Sequence, residues 1–224
     1  MGRFRIGRAG ALSAACALCL TSVAWAVAMP SRDLIAQFIT ATQKFETGRA
    51  GSAAATDAAQ KAFQSLLAQD ADNPLYLAYY GSTFALQARE SALPWKRIAR
   101  VNEAIGIIDR ALALLRPEYD NQELRGMPLP LETRLVAVAT YIALPEFFHR
   151  GAVARQQLTA ALTSPVFATA SKELRGRLYY EQSLIAAADG DATQERQALS
   201  NVLACAPPSL DLKEVRSRLD HLSH

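Results

Sequence analysis

Residues Ile98, Val101, Ile105, Ile108, Leu112 and Leu115 alternate by three and four positions, and this narrow apolar seam constrains the chain more than any other stretch. That spacing places one stripe along one side of an α-helix, and so narrow a stripe is buried by a second helix. The residues on either side repeat the logic. Ser31 opens a first helix just after Pro30, with Leu34, Ile35, Phe38, Ile39 and Phe45 facing inward. Thr42 falls on the same stripe, where its hydroxyl can bond back to a carbonyl of the preceding turn. Further helices are expected over 57–69, 75–89, 98–115, 130–144, 152–162, 170–188 and 193–205. A last one, over 210–222, would be capped by Ser209. Gly81 sits inside the third helix at a cost of about 1 kcal/mol against alanine, and the usual compensation is a neighbouring helix pressed on the bare backbone. Strand alternation and sustained β-branched runs are missing. The expected fold is all-α, built from antiparallel helix pairs with mostly short connections.

The N-terminus reads as a processing segment. Arg3, Arg5 and Arg8 precede an apolar stretch over 10–23, and small residues then alternate in Ala24-Trp25-Ala26 and Ala26-Val27-Ala28. That is the pattern of a secretory signal with cleavage after Ala28 or Ala26, so residues 1–28 are expected to be removed and 29–224 to form one domain. The apolar run is short for a spanning helix and no second one follows, so no membrane span is expected in the processed chain. Cys16 and Cys19 lie inside the signal. Cys205 alone remains, and one cysteine makes no internal disulfide. A lipobox-like Leu12-Ser13-Ala14-Ala15-Cys16 has its leucine one residue too far upstream, so ordinary cleavage is favoured over lipidation. The formal charge of +3, with 20% charged residues of mixed sign, is not that of a nucleic-acid binder.

Helix pairs of similar length ask for a repeat test. Ala59, Phe63 and Leu66 are spaced four then three, and Asp70-Ala71-Asp72-Asn73-Pro74 forms a turn. Gly81 and Phe84 follow, then Ala104, Ile108 and Ala111. Further on, Tyr179, Ser183, Ala186, Gly190, Leu199, Val202 and Pro207 fall in phase. In these positions the chain resembles the tetratricopeptide repeat family. It departs from the family at Leu66 and Glu195, which stand where alanine is usual, and at Ala71, which replaces a proline. About eleven residues too many separate Phe84 from Ala104. The resemblance implies a short right-handed superhelix of stacked helix pairs. It also implies a non-enzymatic scaffold whose concave face grips a protein or peptide.

His221 and His224 are close in sequence but sit in the last few residues, and His149 is alone, so no metal site is assigned. No Gly-x-Ser-x-Gly elbow and no phosphate-binding glycine loop occurs, Cys205 reads as a small packing residue, and Asp189 and Asp191 flank Gly190 as turn residues. No catalytic residue and no cofactor is expected. Two interruptions of the helical pattern stand out, Arg89-Glu90-Ser91-Ala92-Leu93-Pro94-Trp95-Lys96-Arg97 and Leu144-Pro145-Glu146-Phe147-Phe148-His149. Both place proline beside large aromatics, and loops of that kind either plug the core or present a binding surface. They fall at corresponding points of neighbouring helix pairs and should share one edge of the array. Arg89, Glu90, Trp95, Lys96, Arg97, Phe147 and Phe148 are therefore the candidate binding residues, for a partner segment that is acidic or carries carboxylates. The expectation is a periplasmic scaffold; the alternative is a periplasmic small-ligand binder or enzyme with its site between helices.

Overall fold

The computed structural model describes residues 31–222. The expected signal segment and its expected cleavage site, Cys16, Cys19 and His224 lie outside the described residues. Among the described residues nine α-helices follow one another: α1 (Arg32–Arg49), α2 (Ala53–Leu67), α3 (Pro74–Glu90), α4 (Pro94–Ala113), α5 (Leu129–Ile142), α6 (Gly151–Leu162), α7 (Lys172–Ala188), α8 (Ala192–Cys205) and α9 (Leu212–His221). The protein is all-α. The helices pack as antiparallel pairs, α1 with α2, α3 with α4, α5 with α6 and α7 with α8, and α9 covers α8. The first members of the pairs also pack in a row, α1 on α3, α3 on α5 and α5 on α7.

Local chemistry accounts for most boundaries. Ser31, Ser52, Asn73, Ser171 and Asp191 cap α1, α2, α3, α7 and α8, each accepting a backbone N–H of the first turn on its side-chain oxygen. The last helix departs from expectation. Asp211 caps α9, and Ser209 instead donates its hydroxyl to Glu173. Thr42 is buried on the core stripe and donates to the Ile39 carbonyl at 2.9 Å, as its position requires. Ile39 is turned outward, 36% exposed, because neighbouring helices cover α1 only on the side of Phe38, Ala41 and Phe45.

Three apolar clusters hold the array. Phe38, Phe45, Phe63, Tyr76 and Tyr79 dominate the first, where Phe63 and Tyr79 stack at 5.0 Å between ring centroids. The second joins α4, α5, α6 and α7 through Ile105, Ile108, Leu131, Leu135, Leu158 and Leu178, and the third ties α8 to α9 through Leu199, Val202 and Val215. The residues that carry the repeat resemblance are mostly core. Ala59, Phe63, Leu66, Ala104, Ile108 and Ala111 are all at most 1% exposed. Glu195, where alanine was expected, is buried and paired with Arg218 of α9 at 2.6 Å. Gly81 lies where α4 comes closest: a Cβ there would meet Ile108 Cγ1 at 2.8 Å and the Ala104 carbonyl oxygen at 3.2 Å.

Two segments differ from expectation. The stretch 116–129 contains a two-residue β-hairpin, Glu123–Leu124 paired antiparallel with Met127–Pro128. Arg125 and Gly126 form its tip with φ of 50° and 75°, the left-handed pair that a two-residue hairpin loop demands. The larger correction concerns the first interruption. Pro94, Trp95, Lys96 and Arg97 are not a loop but the first turn of α4, and only 91–93 connect the helices. Proline at a first helical position loses no hydrogen bond, so the extra residues extend the helix. They also carry Ile98 outward, to 46% exposure, although it continues the buried seam in sequence.

Candidate functional site

The row α1, α3, α5, α7 forms one wall of an open groove with a volume of about 1400 Å³. α1 contributes Phe45 and Arg49; α3 contributes Leu86 and Arg89; α5 contributes Val136, Ala139 and Thr140; and α7 contributes Arg177, Tyr180, Glu181 and Leu184. The first turns of α4 and the connection between α5 and α6 form its rim through Arg97, Ile98, Phe147 and Phe148. The lining is largely apolar, with six arginines (Arg49, Arg89, Arg97, Arg150, Arg155 and Arg177) against three carboxylates (Glu146, Glu181 and Asp189).

The seven sequence candidates separate here. Arg89, Arg97, Phe147 and Phe148 border the same groove, so both interruptions contribute to its rim. Glu90, Trp95 and Lys96 do not line it. Glu90 accepts a hydrogen bond from Thr56 at 3.2 Å, and Trp95 stands 65% exposed. Arg89 donates to the carbonyls of Gly48 and Arg49 at 3.1 and 3.2 Å and so ties the end of α3 to the end of α1. Arg97 donates to the Ser91 carbonyl at 3.0 Å and closes the turn before α4. The Phe147 and Phe148 rings lie 4.1 Å apart, tilted by 33°; Phe148 leans on the second core while Phe147 is 60% exposed. His149 is exposed, with φ 54°, and Cys205 is half-buried.

Polar residues absent from the sequence reading tie the inner row together. Glu132 of α5 is fully buried. It accepts a hydrogen bond from the Tyr79 hydroxyl at 2.8 Å and an ion pair from Arg125, whose guanidinium also lies 5.0 Å over the Phe38 ring. The hairpin thus inserts one arginine among α1, α3 and α5. Burial, then the Glu132 charge, pushes the Tyr79 hydroxyl well above its ordinary range, so it stays a donor. Between the two ends of that row, Arg177 of α7 approaches Glu46 of α1 at 3.7 Å. One turn on, burial raises the Glu181 carboxyl to about 7, against the opposing pull of Arg177 and Arg49. Arg155 and Asp189 form an exposed pair at the far wall, and Arg150 reaches Asp109 at 3.0 Å. The i, i+4 pair Arg177 and Glu181 was the signal in the sequence: two charges on one face of a helix whose adjacent positions, Leu178 and Ile185, are core. Among the described residues no group of three or more His, Cys, Asp or Glu is placed to hold a metal ion, and no helix is long and apolar enough to cross a membrane.

No family model, no curated protein and no solved structure matches this chain.

Proposed function

We propose that this chain is an exported, tetratricopeptide-repeat-like scaffold of the bacterial periplasm that holds a protein or peptide segment in its inner groove, without catalysing a reaction. The groove itself carries the reading. Its volume of about 1400 Å³ exceeds the ~300–1,000 Å³ of small-molecule pockets. A helix about 10–12 Å across, rising 1.5 Å per residue, would fill it with about 8–12 residues. The apolar floor supplies burial, and the rim arginines Arg89 and Arg97, bonded to backbone carbonyls rather than to carboxylates, favour an acidic segment. Export rests on Arg3, Arg5, Arg8 and the small-x-small sites that follow the apolar run.

A photo-crosslinker at Ala139, inside the groove, and another at Gln156, on the exposed side of α6, separate the possibilities. A protein adduct at Ala139 and not at Gln156, weakened by salt, is the expected result. Equal labelling at both positions, or labelling at Gln156 alone, defeats the reading. The alternative of a small-ligand binder or enzyme draws on one observation, the shifted Glu181 carboxyl between Arg49 and Arg177. A small molecule retained in native mass spectra, and lost in Glu181→Ala, would favour it.

A further inference from the structure

Five large apolar side chains are exposed among the described residues, and four of them lie at one edge: Leu93, Trp95, Ile98 and Phe147. The fifth, Ile39, is on α1. Every residue from 94 to 100 is exposed, so the first two turns of α4 project beyond the body of the array. Trp95 and Ile98 are three apart and share one face of that projection, and Phe147 of the neighbouring connection borders the same groove mouth as Ile98. Lys96, Arg97 and Arg100 sit on the same two turns. Arg100 is paired with Glu103, whereas among the described residues Lys96 and Arg97 meet no carboxylate in an ion pair. The helix begins at Pro94, and Leu93 before it offers no side-chain cap, so the positive end of its dipole adds to the same edge.

An apolar tip ringed by cations fits an anionic lipid surface. Tryptophan and phenylalanine lodge at the level of the headgroups, and lysine and arginine lay their stems along the apolar boundary with the charge outward. A protruding edge can enter such a boundary without the concave complement that a protein anchor requires. From this placement we infer that the edge formed by Trp95, Ile98 and Phe147, with Lys96, Arg97 and Arg100 around it, docks the protein reversibly on anionic membrane surfaces.

The chain beginning at Met29 is the form to test, because every described helix and core lies within 31–222. The sequence holds two tryptophans, Trp25 and Trp95, so Trp95 is the sole one in that form. Its emission should move to shorter wavelength, and brominated lipid should quench it, with vesicles of phosphatidylglycerol and phosphatidylcholine but not with phosphatidylcholine alone. Sedimentation with the anionic vesicles should fall about five-fold for Lys96→Gln, from roughly 1 kcal/mol per basic residue, and about 25-fold for Lys96→Gln with Arg97→Gln. Trp95→Ser should abolish it while the melting temperature holds. No response to anionic vesicles overturns the inference. So does equal binding to both vesicle types, or binding unchanged by the charge substitutions. Shielding of Trp95 from iodide by a protein partner or a second copy, with vesicles inert, would also overturn it and assign the edge to a protein.

Discussion

The close approach of α3 and α4 at Gly81 makes a quantitative test of the fold. A Cβ at this position would stand 2.8 Å from Ile108 Cγ1, 3.1 Å from Ile107 Cγ2 and 3.2 Å from the Ala104 carbonyl oxygen. Ordinary carbon contacts begin near ~3.5 Å, so the first is short by about 0.7 Å. Ile108 and Ala104 are fully buried, and the carbonyl moves only with α4 itself. Gly81→Ala therefore gains up to about 1 kcal/mol of helix propensity and meets overpacking of about 1–3 kcal/mol. The net is a loss of up to about 2 kcal/mol. Gly81→Leu adds three more heavy atoms to the same gap and should lose about 1–3 kcal/mol. Gly106 is the internal control. It lies in α4, exposed, and a Cβ there meets nothing within 4 Å, so Gly106→Ala should gain about 0.5–1 kcal/mol. Urea melts read both, and each kcal/mol is worth about 2–4 °C in a chain of this size. In an Ile108→Ala background the closest clash is removed, and the cost of Gly81→Ala should shrink measurably. If Gly81→Ala stabilises as much as Gly106→Ala, α4 does not press on α3 and the pairing is refuted.

Four further outcomes are expected. Glu181 is an acid whose folded pKa, about 7, lies above the ordinary 4.5, so its stabilising contribution is full below pH 4.5 and is lost as pH rises through 7. Glu181→Gln should flatten that slope between pH 4.5 and 7 and raise stability at pH 8 by at most about 3 kcal/mol, less to the extent that the groove hydrates the carboxylate; an unchanged slope in thermal melts refutes it. Arg125→Ala removes the ion-pair partner of the buried Glu132, leaving it the Tyr79 hydroxyl and the field of Arg177, and should cost about 3–5 kcal/mol, and Glu132→Gln in the same chain should recover part of that; a loss under 1 kcal/mol in urea would disprove the pair's role. Trp95→Ala should stay within about 0.5 kcal/mol of the parent because the ring is exposed, whereas Phe148→Ala should cost about 1–3 kcal/mol, less than for a fully buried ring; equal and large losses in calorimetry would make Trp95 a core plug. Exported protein should begin at Met29 or Val27, and an intact mass that retains residues 1–26, or a diacylglycerol adduct on Cys16, contradicts that.

The helical class was legible in residues whose partners are near in sequence. The seam from Val101 through Ile105 to Ile108, the back-bonded Thr42 and the buried Ala59, Phe63 and Leu66 all follow from a 3.6-residue period. Gly81 carried long-range information as well, since a glycine inside a helix is tolerated where another backbone must come close. Tertiary structure decided the rest. Ile98 and Ile39 fit their seams in sequence yet face solvent, because a period says which residues share a face and not how far the covering helix extends. Proline 94 was compatible with a loop or a helix start, and only the length of α4 chose between them. Tyr79, Arg125 and Glu132 are brought together from three elements, and Glu46, Arg49, Arg177 and Glu181 from helices at opposite ends of the array. Such meetings depend on crossing angles that add from one helix pair to the next, and those angles are set by packing along the whole row rather than by any local window.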